Sequence, residues 1–336
     1  MENESEDRDK ETLVQRGGVE TSKIKMFFVT DIHGSETVFR KFLNASKMYK
    51  VDTAIIGGDI TGKGLSLIAK TSEGYQTDLL GRIWNARDEK ELQTMMGDIR
   101  KRGFYVHIDE PTALEEIKSS QAKAELLLKN YMKKTIEEWL QLAEERLKGL
   151  GIKCYISPGN DDIYDIDEII HSSNFVINPE GKVVRLNENH EMISMGKANI
   201  TPWNCPRDVT EEELAKTIDT MMSKLDDPRL SVFNFHAPPF NTCLDVAPEL
   251  DKDLRPVLKL GQPSMINAGS TSIRKAIEEY QPVLGLHGHI HESKGVERIG
   301  KSLCINPGSD YFEGILRGAI VILEGGKVKN YMFISG

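Results

Sequence analysis

Seven side chains of this chain are of the types that bind divalent cations, and they come in five short blocks. Asp31 and His33 stand in Thr30-Asp31-Ile32-His33-Gly34, and Asp59 closes Gly57-Gly58-Asp59. Asn160 lies in Pro158-Gly159-Asn160-Asp161-Asp162. His236 precedes Ala237-Pro238-Pro239, and His289 and His291 lie in His287-Gly288-His289-Ile290-His291. Two aspartates, one asparagine and four histidines are more ligands than one tetrahedral ion needs. They suit two ions with mixed nitrogen and oxygen donors, and cation pairs of that kind serve hydrolytic chemistry. Each block alone has a plainer reading: an N-capping aspartate, a strand-ending turn, a hydrogen-bonded core histidine. Taken together, in this order, they point to metal.

The elements around the blocks explain how they would meet. Ile24 to Val29 reads as a buried strand that stops abruptly at the first block, and Glu36 to Lys50 follows as a helix with Val38, Phe42 and Ala45 on one face. Thr53 to Ile56 is a second strand running into Gly57-Gly58-Asp59. Strand, helix, strand is the unit of a mostly parallel sheet in an α/β fold. Further strands are expected over Ile152–Ile156, Val183–Leu186, Met192–Met195, Leu230–Phe235, Val283–Leu286 and the tail from Leu303 to Ile334, which holds an Asn306-Pro307-Gly308 turn. Helices are expected over Glu211–Leu225 and Ser272–Tyr280. Five strands thus end in the candidate ligands. Functional sites of open α/β sheets lie beyond the carboxyl ends of the strands, so all seven side chains should gather at one edge. The adjoining glycines allow tight turns and close backbone approach.

Residues 65–110 interrupt this rhythm and read as a helical insertion, with a cap over the site as one role. Leu92, Met95, Met96 and Ile99 have helical spacing, Phe104 to Ile108 is a short strand, and the apolar stripe reads as local core rather than a cofactor box. A long helical pattern then runs from Pro111 to Leu150, stopped by Gly151. Residues 237–268, rich in Pro and Asp, read as a long functional or mobile loop. Residues 1–22 read as an acidic, mobile tail, leaving 23–336 as the domain.

Composition narrows the class. A chain of 336 residues with 39% hydrophobic content can bury a full core. No apolar run approaches the roughly 20 residues of a membrane span, and the polar start is no signal peptide, so a cytoplasmic location is expected. Cys154, Cys205, Cys243 and Cys304 lie far apart and read as reduced thiols. The net charge of −9 counts against long nucleic acids, which are bound by displacing phosphate counterions with basic residues.

The run D-x-H, G-G-D, G-N-D, H-A-P-P, G-H-I-H, spanning residues 31–291, resembles the calcineurin-like metallophosphoesterase superfamily, block for block and in order. The resemblance implies an α/β/β/α four-layer sandwich of two mixed sheets and a dinuclear centre. Asp31, His33 and His291 would hold one ion, Asn160, His236 and His289 the other, and Asp59 would bridge them. Mn, Fe, Zn and Ni all tolerate such a site. Two cations about 4 Å apart can share a water, hold it as hydroxide for in-line attack on phosphorus and neutralise the phosphate oxygens. The neutral amide of Asn160 binds a cation without adding negative charge.

One position departs from the pattern. Many relatives place His after the Asn to assist the leaving group; here it is Asp161, a catalytic candidate by position only. This departure favours a phosphodiester over a protein phosphomonoester, hence a phosphodiesterase acting on a small phosphoester. Two rivals stand beside it: a metal-binding scaffold for partner proteins that has lost catalysis, and a nuclease. His287 reads as a supporting residue rather than a ligand, and His107, His171 and His190 as surface or satisfied histidines. Trp203, Asn204 and Asp245 sit in loops that can reach the site. Gly269-Ser270 reads as a helix start.

Overall fold

The strand Ile24–Val29 is buried almost throughout, and its alternate residues feed two different cores, as the twofold period of a strand requires. Phe27 and Val29 face outward against the helices Glu36–Met48, Gln121–Leu147 and Asp165–His171. Met26 and Phe28 face inward against a second sheet. The strands Thr53–Ile56 and Lys153–Ile156 lie parallel beside it and divide their side chains the same way. Ala54, Ile56, Cys154 and Ile156 join the outer core, and Ile55 and Tyr155 the inner one. The strands Arg317–Glu324 and Lys327–Ser335 complete this sheet in antiparallel fashion. A computed structural model supplies this architecture and describes residues 23–336; the acidic tail expected over 1–22 lies outside the described residues.

The second sheet has six strands. Glu191–Met195, Val232–Phe235, Leu284–Leu286 and Ser302–Asn306 are parallel, with Val183–Arg185 and Gly295–Ile299 antiparallel at the two edges. Val232, Leu284, Leu286 and Ile305 point at the first sheet. Phe233, Phe235, Ile193 and Cys304 point away, under the helices Glu211–Met222 and Thr271–Tyr280. The order of layers is therefore helices, mixed sheet, mixed sheet, helices.

Local chemistry sets the helix limits. Ser35 accepts a hydrogen bond from the Val38 amide at the start of Glu36–Met48, and Ser270 does the same for Ile273, so the Gly269-Ser270 pair opens a helix. The expected continuous helix from Pro111 to Leu150 is instead two helices, Pro111–Lys118 and Gln121–Leu147. Ser120 caps the second by accepting from the Lys123 amide, and a cap competes with helix continuation. Phe39 stacks on Trp139 with ring centroids 4.2 Å apart, joining the first helix to the longest one.

The insertion differs from expectation more strongly. It carries one helix, Glu89–Lys101, and a four-stranded sheet of Gly64–Thr71, Gly74–Leu79, Arg82–Ala86 and Phe104–Asp109. The stripe of Leu92, Met95 and Ile99 packs on Ile68, Leu79, Ala86 and Val106 and forms a core of its own. The second of its hairpins turns through Leu80 and Gly81, both with positive φ (53° and 74°), the conformation a two-residue turn needs. Leucine there gives little warning of a turn, which hid the strands. Among the described residues no helix is long and apolar enough to cross a membrane.

Candidate metal centre

The parallel strands of the two sheets end side by side, and all seven candidate ligands meet there. Asp31 Oδ1 lies 3.4 Å from His291 Nε2 and 3.7 Å from His236 Nε2. His33 Nε2 lies 3.1 Å from His291 Nε2 and 3.6 Å from Asp59 Oδ2. Asp59 Oδ2 lies 3.4 Å from His236 Nε2. Donor atoms of Asp31, His33 and His291 group within 4.8 Å of one another, as do those of Asp59, His236 and His289. A third such group, His33, Asp59 and Asp161, adds the departing position to the cluster's rim.

The backbone is bent to bring these atoms together. Asp31, His33, Asp59 and His289 all have left-handed φ, at 53°, 38°, 50° and 68°. Non-glycine residues adopt such angles at a cost that the surroundings must offset, and they concentrate at functional sites. Glycine is needed where chains touch. A Cβ on Gly288 would lie 2.4 Å from Asp31 Oδ2, and one on Gly159 would lie 2.2 Å from Asp59 Oδ1.

The electrostatics suit cations. Burial pushes His33 down to about 3 and His289 down to about 4, so both rings are neutral and keep a lone pair for a metal. Burial opposes charge on His236 too, yet Asp59 and Asp31 outweigh it and lift the ring to about 9. Burial likewise raises Asp31, but His236 and His291 hold its carboxyl below the usual carboxylate range. The proton between two buried carboxylates marks a place for positive charge. His236 donates through Nδ1 to the Gly57 carbonyl at 3.2 Å, while its Nε2 is buried with no hydrogen-bond partner. Asn160 donates through Nδ2 to Asp208 at 2.8 Å, while its Oδ1 is likewise buried and unpartnered. Buried polar atoms left without a hydrogen-bond partner, with two carboxylates in the same cluster, fit divalent ions.

Several supporting residues gave no clear sign in the sequence. Asp162 accepts from the amides of Ile60, Thr61 and Gly159 and from the Thr61 hydroxyl, tying the Asp59 turn to the Asn160 turn. Its place after Asn160-Asp161 was the one available signal. The buried Arg207 donates to the Asp162 and Ile163 carbonyls and forks onto Asp167. Asn306, read only as a turn residue, donates to the carbonyls of Gly288 and Ile290. Lys63 pairs with Asp161 at 2.8 Å; burial opposes its charge, but Asp161 and Asp59 hold it above the ordinary lysine range.

The remaining candidates divide. His287 is buried and donates through Nδ1 to the Phe235 and Ala237 carbonyls, on either side of His236. His190 is buried with Nδ1 on the Asn187 side chain, His107 meets the Tyr131 hydroxyl, and His171 lies at the surface beside Lys182. Trp203 lines the cavity in front of the cluster, as do Asp161 and Lys63. Asn204 occupies a left-handed turn next to it. Asp245 does not line the cavity; it ties the 237–268 segment together, accepting from the amides of Asn241, Thr242 and Gly269. No residue of 65–110 lines that cavity; its walls come from around Trp203 and from Ala247 to Pro256.

No protein-family model matches the chain. An uncharacterised protein of Methanocaldococcus jannaschii, MJ1162, is 34% identical over 170 residues, which cover 50% of this chain and 69% of that protein. Two solved structures share the fold. The crystal structure of TT1561 of Thermus thermophilus aligns with TM-score 0.50 at 12% identity, over 94% of this chain and 99% of that one. Another aligns with TM-score 0.53 at 15% identity, over 93% and 99%. The chain therefore belongs to one family with the archaeal protein, and it shares the fold of these two solved structures.

Proposed function

We propose that the chain is a metal-dependent phosphoric ester hydrolase that acts on a small phosphodiester. The observation that carries this reading is the convergence of seven donor side chains from five strand ends, with Asn160 Oδ1 and His236 Nε2 buried and unpartnered and the histidine nitrogen beside Asp31 and Asp59. In this reading Asp31, His33 and His291 would hold one divalent ion, and Asn160, His236 and His289 would hold a second. Asp59 would serve both sets, since its carboxylate lies near His33 of the first and His236 of the second. Such ions acidify water and neutralise phosphate oxygens.

The protein's own residues fix the geometry. The His287 and Asn306 bonds hold the turn that carries His289 and His291. The Asp162 bonds hold Asp59, and Asp208 turns the Asn160 carbonyl oxygen to the cluster. Asp161, in the place where relatives carry a proton donor, is paired with Lys63. That pairing cancels the repulsion an isolated carboxylate would exert on a phosphate and puts an ammonium group at the cavity wall, a charge rather than a proton source. Replacing Asp59 with Asn, in purified protein supplied with Mn²⁺, should abolish turnover of bis(4-nitrophenyl) phosphate. Unchanged turnover would rule out this site.

A further inference from the structure

The cavity in front of the cluster has two unlike halves. Asp59, Asn160, His289 and His291 form its floor, while Trp203, Pro248, Leu250, Leu254 and Pro256 form an apolar wall. It encloses about 520 Å³, within the range of sites that hold a small organic molecule and more than a phosphate group alone would fill. Trp203 and Leu254 are 59% and 44% exposed, so large apolar surfaces stand open to solvent beside a strongly polar floor. Basic charge in the lining is confined to Lys63, which Asp161 already neutralises, and Glu292 adds a carboxylate. A polyanion finds no basic track here.

The wall is built in advance rather than left loose. The hairpin that carries it pairs Val246–Pro248 with Met265–Asn267 and bridges Leu250 to Pro256, and Asp245 anchors its base through Asn267 and the Gly269 amide. The Trp203 loop is held by Asp208, which accepts from the amides of Thr201 and Cys205. The same carboxylate takes the Asn160 side-chain bond, so one residue sets both the aromatic wall and a candidate ligand. An indole offers its face to flat rings.

We infer that this site takes a compact, singly charged phosphodiester whose organic group is a flat apolar ring, seated between Trp203 and the Leu250–Pro256 hairpin. The inference rests on the cluster being a phosphoester site. Aryl groups and nucleobases share this chemistry, and the probes separate them.

The test is calorimetric titration of the full chain in the presence of Mn²⁺ with three singly charged esters, methyl methylphosphonate, phenyl methylphosphonate and adenosine 5′-methylphosphonate. Either ring-bearing probe should bind about tenfold tighter than methyl methylphosphonate, through ring burial and stacking, and whichever is favoured names the ring. Trp203→Ala should cut that preference to about threefold or less, and Trp203→Phe should keep it. Leu254→Ser, at a second exposed position, should also lower it. Equal affinity for all three probes, or a preference untouched in Trp203→Ala and Leu254→Ser, would overturn the ring pocket and leave the phosphoester reading standing. Binding of none of them would remove the phosphoester reading along with it.

Discussion

Replacing Asp208 with alanine removes four accepted hydrogen bonds at once: from Asn160 Nδ2 at 2.8 Å, from the Thr201 and Cys205 amides at 3.0 Å each, and from the Thr201 hydroxyl at 2.5 Å. Bonds to a charged acceptor are worth about 1.5–3 kcal/mol each when buried. Asp208 is only half-buried, and water can replace part of what is lost. A net destabilisation of about 2–4 kcal/mol follows, large enough to read from a urea midpoint. The functional effect is separate. Without Asp208 the Asn160 amide is free to turn its nitrogen toward the cluster, and a donor group cannot ligate a cation. Partners that orient a metal ligand typically contribute 10–100-fold in affinity, so calorimetric titration with Mn²⁺ should show one of two binding events weakened about that much. Thr201→Ala is the control, because it loosens the same loop and leaves the Asn160 bond in place. If Asp208→Ala binds Mn²⁺ like the wild type, or if Thr201→Ala weakens binding as much as Asp208→Ala, the orienting role of Asp208 is wrong.

Two further outcomes probe the fold around the site. Gly288→Ala places a methyl group 2.1 Å from Thr30 Oγ1 and 2.4 Å from Asp31 Oδ2; Mn²⁺ affinity should fall, whereas Gly97→Ala, where nothing lies within 4 Å, should leave it unchanged. The buried His190 has its pKa lowered by burial. The unfolded chain therefore binds the proton first, and the contribution of this group is complete above about pH 6.5 and lost as pH falls below it, at no more than about 1.4 kcal/mol per pH unit. Urea unfolding at pH 7 and pH 5.5 should show a smaller acid loss for His190→Gln than for the wild type; equal losses would contradict the burial argument.

The parallel strands were legible because their residues are apolar on both faces and each run breaks off at a polar block. Ile24 to Val29, Thr53 to Ile56 and Val232 to Phe235 carry little ambiguity of period. The insertion was not legible, because its strands bury one face only and Leu80 stands where a turn calls for glycine or asparagine. The break at Ser119-Ser120 was hidden by helix-compatible residues on both sides. In the site, the candidate ligands could be read because five blocks of Asp, Asn and His at successive strand ends share no plainer use, although each block alone has one. Arg207 and Asp208 could not be, since a loop residue's partners depend on chain packing that no local pattern encodes. Asp245, in a loop of similar composition, turned out to brace that loop from outside the cavity. The apolar wall was hidden for the same reason, its residues being separated along the chain by the whole of Trp203 to Ala247.

The most direct measurement is an anomalous difference map from crystals grown with Mn²⁺. It should show two peaks, one among Asp31, His33 and His291 and one among Asn160, His236 and His289, with the Asp59 carboxylate between them. A single peak, or Mn²⁺ bound only away from these residues, would contradict the dinuclear reading.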